Sequence, residues 1–250
     1  MTLRKMLVLM GALLLAGTAR SGDVTVSAAA SLTDAFKAVA AAFEQAHPET
    51  QLKLNFAASG VLLQQISRGA PADLFASADQ KTMDDAADQG LLVPATRRDF
   101  VRNALVLITP AQADAQLDGL AALATAPVKR IALGNPDYVP AGRYGKKALE
   151  RAGLWPHVAG KIIPAQNVRQ VLDYVVRGEV DAGLVYATDA HLMGDKLHVV
   201  ADIALDEPIT YPIAVIAGSA NVGEAQRFID FILSPQGQDI LVAHGFAVPH

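Results

Sequence analysis

Short apolar runs alternate with amphipathic helical segments along the chain, and this alternation limits the fold more than any other sequence feature. The apolar runs predict buried strands at 24–28, 51–56, 73–76, 103–109, 131–134, 162–163, 182–186 and 211–217. Apolar residues at helical spacing predict helices between them; the clearest helix carries Leu32, Ala35, Phe36, Val39, Ala40 and Phe43 on one face. Strands separated by helices are typical of an α/β fold, with parallel sheets that carry helices on both faces.

The composition excludes several classes of function. A chain of 250 residues with 52% hydrophobic residues buries a core without disulfides or metal. The absence of cysteine rules out thiol catalysis, zinc–thiolate sites and disulfides. The net charge of −4 argues against a nucleic-acid partner, which requires a basic face. No two histidines stand four residues apart as metal ligands on a helix do, so we expect neither a metal held by side chains nor a cofactor.

The N-terminal segment predicts export. Two cations precede an uncharged run at 6–16, and small residues follow it up to residue 21. This pattern is typical of a secretory signal, here 1–21, and the run is shorter than the roughly 20 apolar residues that span a bilayer. The alternative is a buried first helix. Cleavage removes Arg4, Lys5 and Arg20 and changes the net charge from −4 to −7. No cysteine follows for lipid attachment, so we expect a free periplasmic protein.

Two stretches have the character of crossings between lobes. Residues 92–103 and 206–212 carry strand or proline signals between helical blocks. We therefore expect lobe 1 to comprise 22–102 and 212–250, and lobe 2 to comprise 103–211, with a ligand cleft between them.

Four strand-to-helix junctions carry the predicted binding chemistry. They contain Ser31, Ser59, the run 139–142 and Asn167, and none has a bulky side chain that would block access. Helix starts present backbone N–H groups without intrahelical acceptors and the positive end of the helix dipole. Such starts gather at the carboxyl ends of the strands in an open α/β sheet, where together they form an anion site. Taken singly, each serine is more simply interpreted as a helix N-cap. Tyr186, at the end of a predicted strand, adds a hydroxyl donor or is an ordinary half-buried tyrosine.

The sequence lacks the patterns of a hydrolase. Neither G-x-S-x-G nor H-E-x-x-H occurs. We interpret Asp73, Asp79, Asp84 and Asp85 as solvated helix-face residues rather than a catalytic carboxylate pair. The sequence therefore predicts a binding protein and not an enzyme.

Several segments resemble one family. They are Ala-Ala-Ala-Ser-Leu-Thr-Asp-Ala-Phe at 28–36, Phe-Ala-Ala-Ser-Gly at 56–60, and the runs 69–78, 134–142, 167–170 and 183–190. In combination they are similar to the periplasmic molybdate-binding proteins of ABC transporters, and the resemblance covers essentially the whole mature chain. It implies a type II periplasmic binding-protein fold, with two α/β lobes, two crossings and a ligand between the lobes.

The resemblance also implies a ligand set. Ser31 and Ser59 would bind molybdate or tungstate through hydroxyl and backbone N–H groups, Ala141 and Val168 through backbone N–H groups, and Tyr186 through its hydroxyl. The implied partner is the permease of an ABC importer, and we expect a monomer. Alternatives are a receptor for sulfate or another oxyanion, an exported hydrolase using one of the serines, and a cytoplasmic ligand-sensing module. Arg143 and Arg169 stand beside proposed donors, and the sequence leaves open whether either side chain enters the cleft.

Overall fold

The computed structural model describes residues 22–113, 117–125 and 127–249, so the predicted signal at 1–21 lies outside the described residues. Two five-stranded sheets form the framework. The first sheet has the order β2-β1-β3-β10-β4, from β1 (Val24–Ala29), β2 (Leu52–Ala57), β3 (Leu74–Ala76), β4 (Arg98–Asn103) and β10 (Ile209–Val215). The second has the order β7-β6-β8-β5-β9, from β5 (Leu105–Pro110), β6 (Ile131–Gly134), β7 (Ile162–Ala165), β8 (Ala182–Tyr186) and β9 (Leu197–Ile203).

Helices cover both sheets. They are α1 (Thr33–Ala46), α2 (Ser59–Ser67), α3 (Gln80–Asp88), α4 (Pro140–Arg151), α5 (Trp155–Val158), α6 (Val168–Val176), α7 (Ala187–Met193), α8 (Val222–Leu233) and α9 (Pro235–Ala243). Within the described ranges, none of these helices combines the length and the apolar character that a membrane crossing requires.

The prediction of parallel sheets is wrong in part, because both sheets are mixed. β10 runs antiparallel to β3 and β4, and β5 runs antiparallel to β8 and β9. Parallel pairing is enforced where a helical crossover returns the chain to the same sheet. β5 and β10 instead enter their sheets directly from the other sheet, so that constraint does not apply to them.

The crossings differ from the sequence-based boundaries by a few residues. The strand predicted at 103–109 corresponds to β5, which begins after Ala104 at the first crossing, and β4 lies in the stretch 92–103 that was expected to be a crossing. The second crossing joins β9, which was not predicted, to β10. The boundary expected between residues 211 and 212 falls inside β10, and Asn103 ends β4 rather than opening the second lobe.

Aromatic packing fixes the helices on the first sheet. The predicted buried face of α1 is confirmed, because all its members are 5% exposed or less. The Phe36 ring lies 5.6 Å from that of Phe100 on β4 and 6.1 Å from that of Phe228 on α8. Truncating such a ring to alanine ordinarily costs about 3–5 kcal/mol. This packing holds the start of α1 rigidly at the carboxyl end of β1.

Candidate ligand-binding cleft

The five residues of the predicted ligand set come together at one cavity between the two sheets. The cavity is small, with a volume of about 10 Å³. Its lining consists of Ala29, Ala30, Ser31, Ala58, Ser59, Ala78, Val139, Pro140, Ala141, Asn167, Val168 and Tyr186. Each residue of the predicted set is 3% exposed or less. The set reaches the cavity from the carboxyl ends of five different strands, as expected of an open α/β sheet.

The two serines do not act as helix caps. Ser31 lies in a short 3-10 turn (Ala30–Leu32) between β1 and α1, and its Oγ lies 3.0 Å from the hydroxyl of Tyr211. Ser59 is the first residue of α2, and its Oγ accepts the Ala78 N–H at 3.0 Å. With that acceptor position filled, the Ser59 hydroxyl retains its own proton for donation. Neither hydroxyl serves the helix that follows, so the capping interpretation is wrong for both.

Two further helix starts face the same cavity from the second sheet. Ala141 is the second residue of α4, after Pro140, and Val168 is the first residue of α6. Backbone N–H groups at these positions have no intrahelical acceptor. The predicted cap of α6 is confirmed, because the Asn167 side chain accepts the Gln170 N–H at 3.0 Å.

Tyr186 supplies a hydroxyl from the end of β8. Its Oη donates to the carbonyl of Ala78, on the opposite side of the cleft, at 3.3 Å. Burial raises the pKa of Tyr186 well above its ordinary value, and the nearby Tyr211 raises it further. The hydroxyl is therefore protonated at neutral pH and remains a hydrogen-bond donor.

Neither arginine lines the cavity; each one pairs with a carboxylate across the cleft. Arg143 of α4 donates to Asp79 at the start of α3, with Nη2 2.6 Å and Nε 3.0 Å from Oδ2, and also to Thr82 Oγ1 at 2.6 Å. Arg169 of α6 donates to Asp34 of α1 at 2.6 Å. Among the described residues, those that line the cavity carry no charge.

Arg169 also contacts a buried acid on its own side of the cleft. Its Nε lies 2.6 Å from Oδ1 of Asp189 in α7, while Oδ2 of that carboxylate accepts the Tyr186 N–H at 3.3 Å. Burial raises the pKa of Asp189 to about 6, and the charge of Arg169 opposes this rise. One guanidinium thus joins Asp34 of the first lobe to the helix that follows Tyr186.

Some residues at the cleft were not predicted from the sequence, and others were interpreted wrongly. Ala78 contacts Tyr186, which lies 108 residues away in the chain, and Tyr211 contacts Ser31, which lies 180 residues away. Local sequence patterns do not reveal contacts over such separations. The interpretation of Asp73 and Asp79 as solvated helix-face residues is wrong, because they are 8% and 3% exposed: Asp73 precedes β3 and accepts the Thr25 N–H, and Asp79 caps α3. An aspartate directly before a helical segment is a favoured N-cap, and this signal is present at Asp79 in the sequence.

The cleft lacks the geometry of a catalytic or metal centre. Ser31 and Ser59 hydrogen-bond to a phenol and an amide, and neither contacts a histidine or a carboxylate that would act as a base. In the part of the chain that the structure describes, no group of three or more His, Asp or Glu side chains is placed to hold a metal ion. The residues that line the cavity are uncharged, and they include all five members of the predicted ligand set.

Known proteins share this architecture. Residues 24–247 match the bacterial extracellular solute-binding protein family. The molybdate-binding protein ModA of Escherichia coli (strain K12) is 38% identical over 237 residues, covering 92% of this chain and 91% of that protein. The Azotobacter vinelandii periplasmic molybdate-binding protein structure aligns with a TM-score of 0.81 and 23% identity, covering 91% of this chain and all of that one. The sulfate-binding protein SubI from Mycobacterium tuberculosis aligns with a TM-score of 0.77 and 17% identity, covering 90% and 86%.

The chain belongs to the bacterial extracellular solute-binding proteins, and its fold is the two-domain α/β arrangement of type II periplasmic binding proteins. The fold alone does not separate molybdate from sulfate receptors, because solved structures of both kinds align with it. The ligand must therefore be argued from the cavity.

Proposed function

We propose that this protein captures molybdate, and tungstate with it, outside the inner membrane and delivers it to an ABC importer. The observation that carries the proposal is a small cavity lined by uncharged residues from both lobes, with the neighbouring arginines paired elsewhere. The relatives named for molybdate binding support the same ligand. A cavity of only about 10 Å³ suits a small inorganic ion better than a sugar or a peptide.

The physical basis is hydrogen bonding to a tetrahedral dianion. Burying such a charge without partners costs tens of kcal/mol. If each serine gives its hydroxyl and its N–H, Ala141 and Val168 give one N–H each, and Tyr186 turns its hydroxyl proton from the Ala78 carbonyl to the ligand, about seven donors surround the ion. At roughly 1.5–3 kcal/mol net for each bond to a charged group, this set offsets the desolvation. Neutral dipoles suffice because helix starts are directed at the ion.

A set that directs only N–H and O–H protons at the ion also selects for protonation state. Hydrogen phosphate carries its own O–H, which would face a protein hydrogen instead of an acceptor. We therefore expect phosphate to be rejected at neutral pH. Sulfate has the same charge as molybdate and accepts hydrogen bonds from the same donors, but its bonds to oxygen are shorter. Discrimination between the two ions therefore depends on the separation of the lobes. Sulfate remains the second candidate because the fold of a sulfate-binding protein is closely similar.

The donors are divided between the lobes. We propose one lobe built on the first sheet, bearing Ser31 and Ser59, and another built on the second, bearing Ala141, Val168 and Tyr186. Only a closed arrangement brings both sets to one ion, so the ligand favours closure. The same logic supports a carrier without enzymatic activity, since no base accompanies the serines. We further propose a monomer that is exported by the signal at 1–21 into the periplasm, where it meets its permease.

Isothermal titration of the mature protein with molybdate, tungstate, sulfate and phosphate tests the proposal. The expected result is tight one-to-one binding of molybdate and tungstate, much weaker binding of sulfate, and no binding of phosphate at neutral pH. Tighter binding of sulfate would establish the second candidate. Failure of all four ions to bind would refute an oxyanion carrier.

A further inference from the structure

Gly60 stands at a position where the backbone does not require glycine. It is the second residue of α2, directly after Ser59, and it is absent from the glycines with positive φ. Glycine within a helix is ordinarily less stable than alanine by about 1 kcal/mol. The reason for its presence must therefore lie outside the helix.

The reason is a backbone contact across the cleft. The Gly60 N–H donates to the carbonyl of Tyr138 on the opposite lobe at 3.0 Å. A Cβ at Gly60 would lie 2.8 Å from each of three Tyr138 atoms, namely Cα, Cβ and the carbonyl oxygen. Gly142 is crowded by the Gly134 backbone in a comparable way, but that contact lies inside one lobe and serves helix–strand packing. The Gly60 contact lies between lobes.

The contact adjoins the cavity on both sides. Ser59 precedes Gly60 and Val139 follows Tyr138, and both Ser59 and Val139 line the cavity. Two of the three crowded atoms belong to the Tyr138 main chain, so a rotamer change cannot relieve the overlap. The separation of the lobes at this contact therefore determines how closely the start of α2 approaches the start of α4.

We propose that Gly60 is a positioning residue for the ligand: its missing side chain lets the two lobes close until donors from both reach the same oxyanion. The inference rests on the proposed function and extends it to a residue that does not itself bind the ion. A methyl group at position 60 would hold the lobes apart beside Ser59. The ion would then lose at least one bond to the opposite lobe, which corresponds to a rise in Kd of roughly tenfold to 150-fold.

The test compares Gly60→Ala with Gly223→Ala. Gly223 is a matched control, because it is the second residue of α8 and an added Cβ would meet nothing within 4 Å. Isothermal titration with sodium molybdate, thermal unfolding without ligand, and NMR hydrogen exchange of the residue-60 amide are measured on both variants and the wild type. Exchange at residue 60 reports closure directly, since that N–H bonds to Tyr138 across the cleft.

We expect Gly60→Ala to raise the Kd for molybdate at least tenfold and to abolish the ligand-induced protection of the residue-60 amide, without lowering the unfolding temperature of the ligand-free protein. Gly223→Ala should match the wild type in affinity and in amide protection, and its ligand-free unfolding temperature should equal or slightly exceed that of the wild type, because alanine favours a helix more than glycine does. A Gly60→Ala protein that binds within twofold of the wild type would overturn the inference and leave the proposed function standing. Equal weakening in both variants, or a lower unfolding temperature without ligand for Gly60→Ala alone, would assign the effect to the helix and overturn it too. If the wild type binds neither molybdate, tungstate nor sulfate, the proposed function fails and this inference with it.

Discussion

Replacing Ser59 with alanine should produce two separable losses. The Ser59 Oγ is fully buried and accepts the Ala78 N–H at 3.0 Å, which leaves its proton for the ligand. Removing that donor should weaken molybdate binding by about 1–3 kcal/mol, or roughly fivefold to 150-fold in Kd. The substitution also strands a buried N–H group, and this should lower the free energy of unfolding by about 1–3 kcal/mol whether or not ligand is present.

Isothermal titration and urea unfolding without ligand measure the two losses independently. Ser67→Ala is the control, because Ser67 ends the same helix, is exposed, and donates its hydroxyl only to the Gln64 carbonyl. It should change neither quantity appreciably. If Ser59→Ala lowers the free energy of unfolding but leaves the Kd for molybdate unchanged, the hydroxyl serves the fold alone and its assignment as a ligand donor is refuted.

Three further outcomes are expected. Ser31→Ala should weaken molybdate binding by about 1–3 kcal/mol in the same titration, and an unchanged Kd would remove Ser31 from the ligand set. Asp34→Asn breaks the partly exposed ion pair with Arg169 across the cleft; it should raise the Kd about twofold to fivefold and reduce its salt dependence, which titrations at two salt concentrations would show. Burial raises the pKa of Asp189 from 3.8 to about 6, so the folded state binds more protons than the unfolded state between these values. The free energy of unfolding should therefore fall as pH rises from about 4 to about 6, on the order of 2 kcal/mol, and urea unfolding of Asp189→Asn should not show this decline.

Local sequence patterns predicted the positions of helices and strands better than the directions in which the strands run. The buried face of α1, the cap of α6 and most strand positions follow from apolar spacing and cap residues, which depend on near neighbours. The antiparallel entry of β5 and β10 depends on where the chain crosses between sheets, and periodicity carries no signal for that.

The cavity was predictable in part. Helix starts after strands meet at one edge of a sheet, so small residues at several such junctions indicated where a ligand would be held. The capping interpretation of Ser31 and Ser59 failed because both hydroxyls bond to distant groups, Tyr211 and the Ala78 amide. No sequence pattern joins residues this far apart, and the crowding of Gly60 against Tyr138 depends likewise on the docking of two lobes.

The placement of the two arginines explains how the proposed dianion site can be neutral. Arg143 and Arg169 lie in the first turns of α4 and α6, beside the proposed donors, yet each extends to a carboxylate of the opposite lobe. A guanidinium inside the cavity would attract any anion, whatever its protonation state. Paired across the cleft, the same charge stabilises closure and leaves recognition to N–H and O–H groups, which require acceptors on every side. Selectivity against protonated oxyanions and stability of the closed state therefore depend on different residues, and substitutions at the ion pairs should change affinity without changing which ions are rejected.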